Sequence, residues 1–416
     1  MGILPSKTIM LFGAFQFMLL WFDFRIKQFR TYDEAISTEF YALDFIGMAN
    51  IQGYQAEWHN VTTDDGYHLT LFRILPNPIS RNATEKRRVV YMAHGLGATA
   101  DIFVIFGRGR SIAYSFADAG YDVWIGNFRG NSYSRKHETL SPEDEEFWNF
   151  SMDEYALMDL PVLLDYVFEA TKQPRITFLG HSLGTTTGLM LLSAKPEYNA
   201  KLDTLILLAP VSYWTSHNPT RTFISSLAHS LRMMSPRGAY EFQPQAVVLP
   251  RIIKHFCLIN DFTRDLCYIP YDLILGPSRQ FRVDTEPEFF CYYPAGISAK
   301  TYYHYIQHVD TGTFRRYKHE TEALNLNVYG SEEPPDYNVT NIVTPTVIFH
   351  APNDPLSTAD DVETLISRLP SDTPLVYERV DSDEFNHGDF MLAKNADKLV
   401  YSKLLKILSQ AGFSKL

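Results

Sequence analysis

Cysteine is nearly absent from this 416-residue chain: only Cys257, Cys267 and Cys291 occur, all in one third of it. No C-x-x-C pair is present, which removes the usual zinc signature, so no metal is expected. A disulfide with one thiol left over fits an oxidising compartment; Cys257 with Cys267 is the preferred pair, and three reduced thiols are the alternative. Basic charge is scarce as well. The formal net charge is −11, and the one basic cluster is "EKRR" from Glu85 to Arg88. The electrostatic footprint of a nucleic-acid partner is therefore missing, and that run reads as a solvated loop. Fixed-period repeats and low-complexity blocks are also lacking. The apolar stretch from Ile9 to Phe22, broken by Gln16 and preceded by Lys7, is short for a membrane span and suits a signal-peptide core. No small-x-small site follows it cleanly, and Arg25, Lys27 and Arg30 come next. Residues 1–30 are read as a signal peptide, with an uncleaved N-terminal membrane anchor as the alternative.

What is present is a core. Hydrophobic residues make up 45% of the chain, typical of a globular protein. Sequons at Asn60, Asn82, Asn149 and Asn338 are candidate glycosylation sites and support a secretory route; Asn149 sits among aromatics, where burial would oppose modification. "YHLTLFRI" (Tyr67 to Ile74) follows the turn "TDDG" and alternates like a half-buried strand. The runs "VVYMA", "YDVWIG", "RITFLG", "TLILLAP", "TPTVIFH" and "PLVYERV" are short and apolar, as expected of parallel strands buried on both faces. Between them lie helical patterns. "SMDEYALMDLPVLLDYVFEA" opens with Ser151 and Glu154 at capping-box spacing, its apolar stripe runs through Tyr155, Met158, Val162, Tyr166 and Phe168, and Pro161 predicts a kink. This alternation predicts an α/β fold with a mostly parallel, doubly wound sheet. It stops after Pro210. The text to about Pro335 is rich in aromatics, prolines and histidines, shows no clear strands, and offers "SSLAHSLRMM" and "QAVVLPRIIKHFCLI" as short helices. The expected organisation is a core of residues 31–212 and 336–416 with an inserted, mainly helical cap and lid at 213–335.

The chemistry centres on "FLGHSLGTTTG", Phe178 to Gly188. A G-x-S-x-G match arises by chance roughly one time in ten in a chain this long. Here it follows a strand and opens a helix, the setting of a nucleophile elbow, which makes Ser182 the candidate nucleophile. Gly180 and Gly184 are required because side chains there would clash across the turn. In this architecture an acid and then a histidine follow in chain order. Asp354 lies just past the strand "TPTVIFH", and His387 lies in the loop after "PLVYERV". His387 is the candidate base and Asp354 the candidate acid that orients it. Asp360, Asp361, Asp383 and Asp389 compete for the acid role; the first two read as a helix start and Asp389 as loop support. Two backbone N–H groups are expected to form an oxyanion hole: that of Leu183, and that of Leu96 in "HGLG" after an early strand.

With these residues placed, the chain resembles the animal acid lipase family, which includes gastric and lysosomal acid lipases and insect relatives. The motifs that carry the resemblance are "VTTDDGYHLTLFRI", "HGLGATAD", "GNFRGNSYSRKH", "FWNFSMDEYALMDLPVLLDYV", "GHSLGTTTG", "YYPAGIS", "PPDYNVT", "NDPLS" and "FNHGDF", in the family's order. The resemblance implies an α/β-hydrolase fold, the triad Ser182, Asp354 and His387, oxyanion donors Leu96 and Leu183, a mobile lid over a fatty-acyl site, and a Cys257–Cys267 bridge. It also implies a lipid ester substrate taken from a lipid–water interface, and no cofactor. The departures are Leu183 where glutamine is common, Cys291 where histidine is usual, Leu275 where some members carry a cysteine, and Gly388 where leucine is commoner, which suggests a looser histidine loop. The cap from about Tyr213 to Phe290 matches poorly. A short-chain carboxylesterase, or a non-catalytic lipid carrier on the same fold, are the rival expectations.

Overall fold

The computed structural model describes residues 43–76, 87–243, 256–278, 280–281 and 287–410, and the chain from Asp44 onward forms one compact unit. The apolar stretch near the start, Asn82, and most of the helix expected around 245–259 lie outside the described residues. Among the described residues no helix is long and apolar enough to cross a membrane.

The apolar runs become strands of one sheet: β1 (Ala56–Thr62), β2 (Tyr67–Ile74), β3 (Val89–Ala93), β4 (Asp122–Gly126), the short β5 (Lys136–His137), β6 (Ile176–His181), β7 (Leu202–Leu208), β10 (Thr346–His350) and β11 (Leu375–Arg379). Their order is β1-β2-β4-β3-β6-β7-β10-β11, with β5 beside β2. From β4 to β11 every pairing is parallel, while β1, β2 and β5 pair antiparallel. Burial follows position. Every residue of β3, β4, β6 and β10 is buried, because helices cover both faces of the inner strands. The edge strands β1 and β11 alternate partly buried and exposed residues.

Three local expectations change. β2 is buried on nearly its whole length rather than on one face. Its outward Thr70 is covered by the next loop, donating to Tyr133 O at 2.9 Å while its N–H donates to Ser134 Oγ at 3.0 Å. The helix after Ser151 starts with the expected capping box but passes through a π-turn at Tyr155–Asp159 before α1 (Leu160–Thr171). The wide turn shifts the helical phase, so Leu160, Leu163, Leu164 and Val167 face the core while Met158, Val162, Tyr166 and Phe168 are only half-buried. It also absorbs Pro161, which sits in the first turn of α1, where its missing N–H is tolerated. Arg88, read as part of a solvated run, donates to Leu408 O at 2.8 and 2.9 Å and stacks over Tyr121.

Helix α2 (Leu183–Ala194) follows β6 directly. Between β7 and β10 the chain makes α3 (Pro219–Met234), α4 (Asp261–Leu275) and α5 (Ala299–Thr311). It also makes a small antiparallel pair, β8 (Glu241–Phe242) with β9 (Ile297–Ser298), so this stretch is not strand-free as expected. Two residues per strand are too few for a hydrophobic alternation to register in sequence. Cys257 and Cys267 are joined by a disulfide, in which Cys291 takes no part. Helix α6 (Ala359–Arg368) comes after β10.

Candidate active site

Ser182 lies at the junction of β6 and α2 with φ +53° and ψ −116°, a conformation a non-glycine residue adopts only when its surroundings enforce it. They do so through close backbone approach. A Cβ on Gly180 would lie 2.5 Å from Gly184 C, and one on Gly184 would lie 2.1 Å from Ala93 O. The hydroxyl-bearing residue keeps partial exposure while its neighbours His181 and Leu183 are buried.

The structure brings Ser182, His387 and Asp354 into a line. His387 Nε2 is 2.8 Å from Ser182 Oγ, and His387 Nδ1 is 2.7 Å from Asp354 Oδ2. Asp354 sits just beyond β10, where its other oxygen, Oδ1, accepts from Leu356 N at 2.8 Å and Ser357 N at 2.9 Å. Ser357 in turn donates to Pro210 O at 2.6 Å, tying this loop to the end of β7. The other acids are engaged elsewhere. Asp361 forms a buried ion pair with Arg221 of α3. Burial alone would raise its carboxyl; the Arg221 hydrogen bond and charge outweigh that and hold it below the usual range. Asp360 is exposed in the first turn of α6, Asp383 pairs with Arg379, and Asp389 packs under the His387 loop.

The "HGLG" loop lies against the elbow: a Cβ on Gly95 would come within 3.3 Å of Ser182 Cβ. Among the described residues neither the Leu96 N–H nor the Leu183 N–H donates to a protein acceptor, although the first is in a loop and the second opens α2. Open N–H groups at a helix start present partial positive charge to an anion.

Several supporting side chains had no functional reading in the sequence. His94 Nδ1 is 2.9 Å from Gly95 O, and its Nε2 accepts from Phe128 N at 3.3 Å and Asn131 Nδ2 at 3.2 Å. Burial drives its pKa down to about 4, so the ring is neutral and serves as a fixed hydrogen-bond block for the loop. Asn127 Oδ1 accepts from Ala100 N at 2.9 Å. These two asparagines are the Asn residues of "GNFRGNS", a motif visible in the sequence without an assigned task. Ala295 of "YYPAGIS" donates to Gly97 O at 2.8 Å, so the inserted stretch also bears on this loop. His181 Nε2 lies 3.1 Å from His387 O; burial, with the neighbouring His387, takes its pKa down to about 3, and it too is neutral. Among the described residues no group of three or more His, Cys, Asp or Glu side chains is arranged to hold a metal ion.

Of the sequons, Asn60 and Asn338 are exposed. Asn149 is half-buried, its Nδ2 donating to Glu146 at 2.8 Å and its Oδ1 accepting from Lys300 at 2.9 Å.

Comparison with known proteins identifies the family and the fold. Residues 88–234 match the family model for the alpha/beta hydrolase fold, and residues 45–107 match the partial alpha/beta-hydrolase lipase region. The chain is 34% identical over 361 residues to Lipase 1 of Drosophila melanogaster, covering 86% of this chain and 78% of the relative. It is 32% identical over 370 residues to human gastric triacylglycerol lipase, covering 87% and 90% respectively. A soluble variant of monoglyceride lipase from Saccharomyces cerevisiae shares the fold, with a TM-score of 0.50 at 15% identity, over 85% of this chain and 94% of that one. The motifs spread from β1 to the His387 loop and the identity sustained across most of both chains agree: the protein belongs to the animal acid lipase family, as a lipase-family hydrolase with the α/β-hydrolase fold.

Proposed function

We propose that this protein is a serine lipase that cleaves fatty-acyl esters of acylglycerols or sterols through an acyl-enzyme on Ser182. The observation that carries the reading is the relay in which His387 reaches Ser182 at 2.8 Å and Asp354 at 2.7 Å, beside two open backbone N–H groups. Ser182 Oγ attacks the ester carbonyl as His387 Nε2 takes its proton, and Asp354 stabilises the imidazolium. The carbonyl oxygen gathers negative charge, which the N–H groups of Leu183 and Leu96 receive; each such donor typically contributes about 3 kcal/mol to the transition state. His387 then protonates the departing alcohol and activates the water that releases the fatty acid. No cofactor enters these steps.

The lipid substrate is supported by the named relatives and by the surface of the inserted segment. Phe262, Leu266 and Ile269 follow helical spacing on α4, and are 71%, 37% and 51% exposed. Leu258 and Ile259 stand exposed just before them, and an apolar face of this kind suits a lipid–water interface. We assign residues 213–335 as the cap and lid over a core of 31–212 and 336–416. The disulfide supports an oxidising, secretory compartment, with Asn60 and Asn338 as candidate glycan sites exposed among the described residues.

The test is fluorophosphonate labelling of the protein and its Ser182→Ala variant, then hydrolysis of long-chain triacylglycerol and cholesteryl ester emulsions and of a soluble ester series. Labelling lost in the variant together with emulsion hydrolysis supports the lipase. Activity that falls steadily beyond about eight carbons would give the carboxylesterase reading instead. Absence of labelling in folded protein rejects catalysis by Ser182 and leaves a lipid carrier.

A further inference from the structure

The loop that carries His387 is held by the inserted segment. His387 N donates to Leu275 O at 3.1 Å, and Asn386 Nδ2 donates to Gly276 O at 2.6 Å. Leu275 is the last residue of α4, and Gly276 caps it at φ +91°. A Cβ on Gly276 would lie 2.2 Å from Asn353 O, so the same turn also backs the residue before Asp354. The acid and histidine loops are joined directly by Asn353 N donating to Phe385 O at 3.0 Å. Asn386 is fixed from its other side. Its N–H donates to Asp389 Oδ2 at 3.0 Å, and Asp389 N donates back to Asn386 Oδ1 at 2.9 Å. Asn386, His387 and Asp389 are 6%, 3% and 1% exposed. Gly388 lies close against this turn: a Cβ there would come within 3.0 Å of Leu275 Cδ1.

We propose that Asn386 is a positioning residue for the reaction at Ser182, tying the His387 loop to the Leu275–Gly276 turn so that the inserted segment sets where the imidazole stands. The proposal rests on the catalytic reading of Ser182 and His387 given above. The arrangement needs a short side chain with a donor at one end and an acceptor at the other, which an asparagine amide supplies. Asn386 accepts a proton from nothing and has no part in the bond changes; it acts through the adjacent His387. Misplacing a catalytic group by about 1 Å can cost on the order of 100-fold, and the loss falls on kcat because the acyl site itself is left intact. Asp389 serves Asn386 with one oxygen and takes a hydrogen bond from Ser278. An Asp389→Asn side chain keeps an acceptor for the Asn386 N–H, and the Ser278 hydroxyl can turn to accept from the new amide.

The experiment uses the full chain with its disulfide intact. Fluorophosphonate labelling rate, kcat and KM on a soluble p-nitrophenyl ester, and melting temperature are measured for the wild type, Ser182→Ala, Asn386→Ala, the near-isosteric Asn386→Leu, Asp389→Leu and Asp389→Asn. The expected result is a fall in kcat and labelling rate of about 100-fold in Asn386→Ala and Asn386→Leu, with KM within about threefold of wild type. Asp389→Asn is expected to behave as wild type. Should neither Asn386 variant fold, Asp389→Leu carries the comparison with Asp389→Asn and is expected to lower kcat without raising KM. Wild-type kcat in a folded Asn386 variant, or in Asp389→Leu when the Asn386 variants fail, overturns the positioning role while leaving the triad reading standing. A wild-type protein that does not label, like Ser182→Ala, overturns both.

Discussion

Replacing Asp354 by asparagine tests the relay, because the structure fixes which way the new amide must face. Asp354 Oδ1 accepts from two backbone N–H groups, Leu356 and Ser357, at 2.8 and 2.9 Å. An asparagine Nδ2 placed there would set donors against donors, so the amide oxygen must take that side. The NH2 group is then left 2.7 Å from His387 Nδ1, where Oδ2 now accepts. It donates, Nδ1 becomes an acceptor, and the neutral ring carries its proton on Nε2. That proton points at Ser182 Oγ, 2.8 Å away, and the histidine can no longer receive the serine proton. A wrong tautomer in an otherwise intact serine triad lowers kcat about 10,000-fold, equivalent to about 5.5 kcal/mol. Volume and backbone contacts are conserved, so the melting temperature should move by only a few degrees. The assay is steady-state hydrolysis of a soluble p-nitrophenyl ester above pH 7, with the fluorophosphonate labelling rate as a check independent of deacylation. A stable Asp354→Asn variant within tenfold of wild type in both measurements would refute the argument.

Other perturbations test the scaffold around the relay. Gly184→Ala places a Cβ 2.1 Å from Ala93 O; because that neighbour is sheet backbone, urea unfolding should show a loss of about 3 kcal/mol or more. Arg221→Met leaves Asp361, 2% exposed, without its buried cationic partner, and should cost about 3–5 kcal/mol in the same assay. Asp101 is fully buried, and burial raises its pKa to about 7 against the opposing hydrogen bonds of Tyr133 and Thr99. A raised carboxyl contributes stability below its unfolded value near 4 that is lost as pH rises through about 7. Asp101→Asn, which cannot ionise, should therefore gain on the wild type by about 4 kcal/mol between pH 4 and 8, read from paired denaturation curves; a constant difference across that window would show that Asp101 does not titrate there.

Much was legible in the sequence because the relevant constraints are local. Five apolar residues such as Val89–Ala93 are too few for a helix and fit a strand buried on both faces, and a glycine two residues either side of Ser182 is demanded by the turn itself. Chain order then singled out Asp354 and His387. Local reading failed where a residue's environment is supplied by distant chain. The burial of Thr70 depends on the loop at Tyr133–Ser134, and the phase of α1 depends on the π-turn that precedes it, which leaves no composition mark. His94 looked like any histidine because its partners, Phe128 and Asn131, are more than thirty residues away. Asp361 and Asp354 are both acids in one loop-to-helix stretch; the sequence read Asp361 as a helix start, but its pairing with Arg221 from α3 was not legible there. The sequence by itself determined the strands, the elbow and which serine, acid and histidine are the candidate triad, since these follow from backbone sterics and side-chain chemistry at fixed spacing. The tertiary structure alone decided the distances among them and the bracing of the His387 loop by Leu275 and Gly276, because hydrogen bonds between segments more than a hundred residues apart are set by packing, not by neighbours in the chain.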